Sequence, residues 1–157
     1  HYWIAGDGPC RGEIEAAVAA LPSPERVTVF GQVSAAEKSA LMREADLFVQ
    51  PNIPVAGDME GFGLVVLEAA IAGLPVVASR LEGLRDAIAE GENGVLVEPG
   101  DAEGFVRHIR RFASEPGAAV TFGERAQAYT RTHCGWNLVA RLYLDEMRNL
   151  VPASGKR

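Results

Sequence analysis

The residues best suited to chemistry lie in the middle of the chain, where Glu60-Gly61-Phe62-Gly63 runs into an apolar segment. We expect this tetrapeptide to stand at the start of a helix over 62–72. Its two glycines would let the backbone approach a ligand closely. Exposed amides at a helix start, with the helix dipole behind them, suit a diphosphate. The pattern therefore predicts an anion-binding helix start.

Glu68 is the second carboxylate of interest, because it lies inside a predicted helix that is apolar all round. Such a helix is expected to be buried, which leaves no polar face for Glu68. A buried carboxylate needs a partner, and two ligand hydroxyls would serve. The alternative is an ion pair with Arg80 or Arg85, but Glu is seldom buried without a functional reason. Glu60 is a loop carboxylate of a kind that is usually solvated, yet its place before the helix amides favours a ligand role.

The turn Gly6-Asp7-Gly8-Pro9 is a weaker candidate for phosphate contact. It departs from the dinucleotide fingerprint because Arg11 occupies the third glycine position and Pro9 removes a backbone donor. Two interpretations stay open for Gly8, namely contact with a ligand or a tight turn between strand and helix. The chain has no Gly-Lys-Ser or Gly-Lys-Thr sequence, which excludes a P-loop.

The elements that must position these residues alternate along the chain. Short continuous apolar runs, typical of strands buried on both faces, lie at 2–6, 27–31, 47–51, 75–79 and 95–99. Helical patterns lie at 12–21, 35–45, 62–72 and 84–90, followed by an all-helical part at 102–113, 119–132 and 136–150. Ser34 with Glu37 predicts a helix cap, Gly73 predicts a helix end, and Asn93-Gly94 predicts a turn into the last strand. This rhythm predicts an α/β fold, a Rossmann-like parallel sheet with helices on both faces and a C-terminal helical extension. Ligands of such sheets bind at the carboxyl ends of the strands.

Composition excludes several function classes. Lys and Arg number 15 against 21 Asp and Glu, a net charge of −6, which argues against a nucleic-acid binder. No apolar run approaches the ~20 residues that span a bilayer, so no transmembrane segment is expected. Two cysteines and three scattered histidines offer neither a disulfide framework nor zinc spacing, and a cytoplasmic location is the default expectation. We expect residues 1–150 to form one domain and the polar tail 151–157 to be disordered.

The frame Glu60, seven residues, then Glu68 resembles the EX7E region of the group 1 retaining glycosyltransferases, which have two Rossmann-like domains in the GT-B arrangement. The resemblance extends over nearly the whole chain, through the segments 4–9, 29–33, 45–51 and 91–97 and through Trp136. It implies that the chain is the C-terminal, donor-binding half of a GT-B enzyme that transfers a hexosyl group with retention. It implies no metal and no cofactor, with the nucleoside-diphosphate sugar as substrate.

The resemblance also implies roles for individual residues. Glu60, the catalytic candidate, would hold hydroxyls of the donor sugar, and Glu68 would bind the ribose hydroxyls. Backbone groups would border the base at Gln32 and Val33. Contacts to the sugar and diphosphate would come from Gly8, Gly61, Phe62, Gly63 and Leu64.

The chain departs from the family pattern at Glu82-Gly83, where two glycines are frequent, at Asp86, where Glu is common, and at Asn52, where Ser or Thr is usual. The family's first strand of this domain would precede His1 and lie mid-sheet, between the strands at 2–6 and 47–51. The N-terminal acceptor domain is a further expected partner, so we expect this chain alone to be inactive. The acceptor could be a glycan, a lipid or a small molecule.

Two alternatives remain at this stage. A non-catalytic nucleotide-binding or assembly module would suit a chain that is complete as given. Another GT-B enzyme, such as a nucleotide-sugar epimerase, would share the fold, whereas a phosphorylase would need a cofactor lysine that we do not find.

One predicted helix carries a basic patch formed by Arg107, His108, Arg110 and Arg111. We expect this patch to be a solvated helix face, or alternatively a contact with anionic lipid, which would make the protein peripheral to a membrane.

Overall fold

Parallel strands alternate with helices in the computed structural model, which describes residues 1–57 and 61–150. The chain divides into two compact units, His1–Glu44 and Ala45–Arg157, and each is described by itself. The predicted single domain over 1–150 stays a prediction, and the predicted disordered tail, 151–157, lies outside the described residues.

The first unit is a two-stranded parallel sheet with two helices. Its elements are β1 (Tyr2–Ala5), α1 (Arg11–Ala19), a 3-10 turn (Pro24–Arg26), β2 (Val27–Gly31) and α2 (Ala35–Glu44). Strand β1 pairs with β2 in register from Tyr2 opposite Val27, and the register then shifts between Ile4 and Ala5. The shift places Ala5 opposite Gly31 and marks a bulge at the carboxyl end of the pair.

Burial in the first unit differs from the sequence prediction. Strands β1 and β2 were expected to be buried on both faces, but Tyr2, Trp3 and Phe30 are exposed. Only Gly31 and Met42 are buried among residues 1–44. This pair of strands is therefore not buried on both faces. Trp3 and Phe30 pack edge to face, with ring centroids 6.3 Å apart.

The second unit contains a three-stranded parallel sheet in the order β3-β4-β5. Its elements are β3 (Phe48–Gln50), α3 (Leu64–Ile71), β4 (Val76–Ser79), α4 (Leu84–Ala87), β5 (Val95–Val97), α5 (Ala102–Ser114), α6 (Pro116–His133) and α7 (Trp136–Leu150). Every residue of β4 and β5 is buried, as the continuous apolar runs predicted, whereas β3 is half-buried. The core packs these strands against α5 and α6 through Val77, Val95, Val97, Phe105, Phe112 and Ala119.

Helix α6 holds the carboxyl end of α3. A Cβ on Gly123 of α6 would collide with the Gly73 carbonyl oxygen, so the two backbones touch where α3 ends. Gln127 Nε2 donates to the Ile71 carbonyl at 2.6 Å. Gly73 itself has φ 90°, a left-handed conformation that ends a helix readily only at glycine. The predicted stop at Gly73 is therefore confirmed.

The other helix boundaries agree with the predictions in part. Ser34 and Glu37 form a reciprocal capping box at the start of α2, with backbone-to-side-chain distances of 2.7 and 3.2 Å. The predicted helix over 84–90 is shorter, since α4 ends at Ala87, and the site helix begins at Leu64 rather than at 62. The parallel α/β architecture with a C-terminal helical extension is confirmed, although the described strands fall into two sheets instead of one.

Candidate functional site

The start of α3 is shaped by Gly63. This residue is the N-cap, with φ 67° and ψ 47°, a left-handed conformation that favours glycine. A Cβ at this position would also collide with the Leu84 side chain from α4. The first turn lies at the surface, where Leu64 is exposed, so its backbone amides are suited to an external anion.

The loop between β4 and α4 contacts the backbone just before the start of α3. A Cβ on Gly83 would lie 2.7 Å from Phe62 Cα and would collide with the Gly61 carbonyl. Residues 61–62 therefore rest directly on the backbone of the β4–α4 loop. Sequence reasoning singled out Gly83 only as part of a departure from the family pattern, and it missed this contact.

Glu82 precedes that contact and has an unusual backbone. Its φ is 41°, the one positive φ among described residues other than glycine. A side chain in the left-handed region costs about 1–2 kcal/mol. The departure noted in the sequence, Glu82 in place of a frequent glycine, therefore falls where the backbone favours glycine.

Glu68 is exposed, and its predicted burial is wrong. Helix α3 buries Val66, Leu67, Ala69 and Ala70 on one face, while Leu64, Glu68 and Ile71 share the exposed face. The prediction failed because the helix carries apolar residues on its surface face as well as on its core face. An all-apolar pattern then cannot reveal which positions face the core.

The alternative partners proposed for Glu68 are engaged elsewhere or show no ion pair. Arg80 pairs with Glu90 at 2.9 Å and with Glu98 at 3.0 Å. The Glu90 carboxylate also accepts from the Leu96 amide, which fastens the loop before β5. Arg85 takes part in no ion pair with any described residue. Neither of these two arginines therefore forms an ion pair with Glu68.

Glu60 lies outside the described residues, so its catalytic assignment stays a prediction. Of the remaining site candidates, Gly61, Phe62, Gly63, Leu64 and Glu68 come together at the start and exposed face of α3. The candidates in the first unit are Gly8, Gln32 and Val33, which lie in its two loops at the carboxyl ends of β1 and β2.

Gly8 is engaged in a tight turn. Its amide donates to Asp7 Oδ1 at 2.9 Å, and its carbonyl accepts from the Arg11 amide at 3.1 Å. These bonds fit the turn interpretation, while donor contact at Gly8 stays a prediction. Gln32 and Val33 follow Gly31, whose φ is 69°, and they precede the Ser34 cap of α2.

The described residues contain neither a cluster suited to a metal ion nor a helix suited to crossing a membrane. No three His, Cys, Asp or Glu side chains within 1–57 and 61–150 are grouped in a way that could hold a metal ion. No helix among the same residues is both long enough and apolar enough to cross a membrane.

Ser79 is a buried polar group at the end of the strand predicted over 75–79. It ends β4 with no exposed surface, and its Oγ has no hydrogen-bond partner in the described part of the chain. The burial agrees with the prediction, but the apolar run gave no sign that a hydroxyl would lack a partner.

Comparison with known proteins shows a family from sequence and a shared fold from structure. A family model described as "Glycosyl transferases group 1" matches residues 1–129. The D-inositol 3-phosphate glycosyltransferase of Pseudarthrobacter chlorophenolicus is 36% identical over 125 residues, covering 80% of this chain and 28% of that protein. The sulfoquinovosyl transferase SQD2 of Arabidopsis thaliana is 35% identical over 131 residues, covering 82% of this chain and 24% of SQD2.

Solved structures share the fold over most of the chain. HepE of Anabaena, solved with UDP, superposes with a TM-score of 0.80 at 22% identity and covers 94% of this chain and 40% of its own. Sucrose-phosphate synthase of Thermosynechococcus elongatus superposes with a TM-score of 0.78 at 29% identity, and the match covers 94% of this chain and 38% of the synthase chain. The chain thus spans about a quarter of the curated relatives named above.

Proposed function

Since the chain belongs to the group 1 glycosyltransferases, we propose that it binds the nucleoside-diphosphate sugar from which the whole protein transfers a hexosyl group. The transfer goes to an acceptor hydroxyl with retention of anomeric configuration. The observation that carries the proposal is the start of α3, where a left-handed Gly63 begins a helix whose first residue, Leu64, is exposed at the surface.

The diphosphate is assigned to the first turn of α3. A helix N-terminus combines backbone donors with the positive end of the helix dipole, and both stabilise an anion. The contact with Gly83 keeps the backbone of residues 61–62 against the β4–α4 loop. The residues that lead into α3 are therefore positioned by a contact between backbones. Such preorganised amides would stabilise the charge that grows on the leaving diphosphate as the sugar departs.

The ribose is assigned to Glu68. This carboxylate shares the exposed face of α3 with Leu64, four residues or about 6 Å up the helix. A carboxylate presents two acceptor oxygens and can receive hydrogen bonds from two neighbouring hydroxyls. Exposure at Glu68 suits this role better than the burial first expected, because a ligand must reach the oxygens.

The remaining assignments follow from the family. Glu60 would hold the donor sugar, and the backbone of Gln32 and Val33 would border the base. The reaction itself would depend on positioning and on charge stabilisation. An acceptor-binding N-terminal domain of the same protein would supply the second substrate, a hydroxyl on a glycan, lipid or small molecule. This chain alone would then bind the donor without transferring the sugar.

The first test is calorimetric titration of the full-length protein with UDP and GDP, of which UDP is the ligand present in the HepE structure. Binding of one of them and its loss in Glu68→Gln by about tenfold or more would support the proposal, as expected for a hydrogen bond to a charged group. Glu124→Gln is the matched control, because Glu124 is an exposed glutamate on α6 of the same unit. If neither nucleotide binds, or if both variants bind equally well, the donor assignment is wrong.

A second measurement addresses the stereochemistry of transfer. Once a donor and acceptor pair is found, the anomeric configuration of the first product can be read from its proton NMR coupling constant. The proposal expects the configuration of the donor to be kept, and an inverted product would contradict it.

A further inference from the structure

Gly31 is the meeting point of two loops in the first unit. The Gly6 amide donates to the Gly31 carbonyl at 2.8 Å, which ties the loop after β1 to the end of β2. The bulge in the β1–β2 register ends at the same residue, and its φ of 69° turns the chain toward Gln32. The direction of residues 32–33 therefore depends on how firmly Gly31 is held.

The Arg11 guanidinium lies over Gly31. A Cβ built on this glycine would be 2.6 Å from Arg11 Nη1 and 3.5 Å from Cζ, so the guanidinium occupies the space that a side chain would need. Asp7 contacts Nη1 at 3.2 Å and Glu15 contacts Nε at 2.8 Å. These two carboxylates raise the pKa of Arg11 and hold its planar group from both sides.

The other end of the same loop is fixed independently. Ser34 follows Val33 and forms the capping box with Glu37. Gln32 and Val33 are thus a two-residue span between two anchors, one at Gly31 and one at Ser34. The anchor at Gly31 combines the hydrogen bond from Gly6 with the covering guanidinium of Arg11, which belongs to a different element, α1.

We propose that Arg11 is a positioning residue that fixes residues 32–33 and thereby sets which base the protein accepts. This inference rests on the proposed function, which assigns the base to Gln32 and Val33. Arg11 would act through the loop and would not touch the nucleotide. Loop segments that recognise a ligand need support from neighbours that lock them within a fraction of an ångström.

A direct role for Arg11 in binding the diphosphate is disfavoured by its partners. Two carboxylates, Asp7 and Glu15, share the single positive charge of the guanidinium. The local net charge is therefore not positive, and long-range attraction for a phosphate is weak. The two roles differ in what they predict for different bases, because a diphosphate contact would serve every nucleoside diphosphate equally.

The experiment measures the affinities of the full-length protein for UDP and GDP in wild type, Arg11→Ala and Arg11→Lys. Arg26→Ala is the matched control, since Arg26 is an exposed arginine of the same unit at the opposite end of β2. We expect Arg11→Ala to change the UDP-to-GDP affinity ratio by about tenfold, as loss of outer supporting contacts commonly does. Arg11→Lys should recover part of it, and the control should stay within about twofold.

Hydrogen exchange on the nucleotide-free protein provides a readout that needs no ligand. The amides of residues 31–33 should exchange faster in Arg11→Ala than in wild type, while those of α2 beyond the capping box should not change. The proposal is overturned if exchange at 31–33 is unchanged, or if both affinities fall by one common factor. A wild-type protein that binds no nucleotide but shows the faster exchange would overturn the proposed function and retain the loop-fixing role.

Discussion

Gly83 offers the sharpest test of how the candidate site is built. In Gly83→Ala the new methyl group must displace backbone, because the Gly61 carbonyl and Phe62 Cα, at 2.7 Å, occupy its place. Gly83 has φ −64° and ψ −17°, so alanine suffers no backbone strain there. The cost to the unfolding free energy is therefore steric, about 1–3 kcal/mol for overpacking. It is offset by up to about 1 kcal/mol, because alanine reduces the conformational entropy of the unfolded chain.

The assay is urea unfolding followed by nucleotide titration. We expect Gly83→Ala to lose up to about 3 kcal/mol of unfolding free energy and to bind nucleotide about tenfold more weakly, because residues 61–62 must move. Gly117→Ala is the control, since a Cβ on Gly117 meets nothing within 4 Å. It should leave binding unchanged and stability equal or slightly higher. If the two variants behave alike, the contact between these loops is not as tight as the account requires.

Three further predictions concern groups outside the ligand site. Asn93→Ala should lower the free energy of unfolding by about 3 kcal/mol, because the buried side-chain amide forms hydrogen bonds with Ala87, Ala89 and Thr130 and its loss leaves these buried groups unpaired. Chemical denaturation checks this, provided that the dependence of the unfolding free energy on denaturant concentration is unchanged. Ser79→Ala should be neutral or stabilising by up to about 1 kcal/mol in the same assay, since the buried Oγ has no partner in the described part of the chain; a loss above that size would reveal a hidden partner. Hydrogen bonds with Ser34 lower the pKa of Glu37. The capping contribution of Glu37 to stability is therefore fully present at pH values above the ordinary glutamate pKa of about 4.3, and it is lost as the pH falls through the lowered pKa. An NMR titration that places the Glu37 pKa at or above that ordinary pKa would contradict this.

Hydrophobic patterning predicted the elements well, because each strand and helix has a local signal. The alternation of short apolar runs with helical segments placed all five strands, and the capping box at Ser34 marked the start of α2. The stop at Gly73 needed only the preference of glycine for positive φ. These features depend on residues a few positions apart.

Burial was predicted less well, because it depends on what the rest of the chain brings to each face. Strands β1 and β4 have similar apolar runs, yet β1 is exposed and β4 is wholly buried. Glu68 failed for the same reason, since α3 is apolar on its exposed face too. Local sequence does not state which surface a neighbour will cover.

Contacts between distant residues were beyond the sequence. Asn93 and Gly94 read as a turn, which they are, but Asn93 also bonds to Thr130, 37 residues away. The contact of Gly83 with residues 61–62 and the placement of Arg11 over Gly31 are of the same kind. Each requires two loops to approach closely, and neither loop alone carries a pattern that announces it.

The central claim is that α3 binds the diphosphate at its first turn and the ribose at Glu68. A crystal structure of the full-length protein with the nucleotide that binds best tests it most directly. The account predicts diphosphate oxygens within about 2.7–3.2 Å of first-turn backbone amides of α3, and both Glu68 oxygens on ribose hydroxyls. A nucleotide bound away from α3, or a ribose without contact to Glu68, would contradict it.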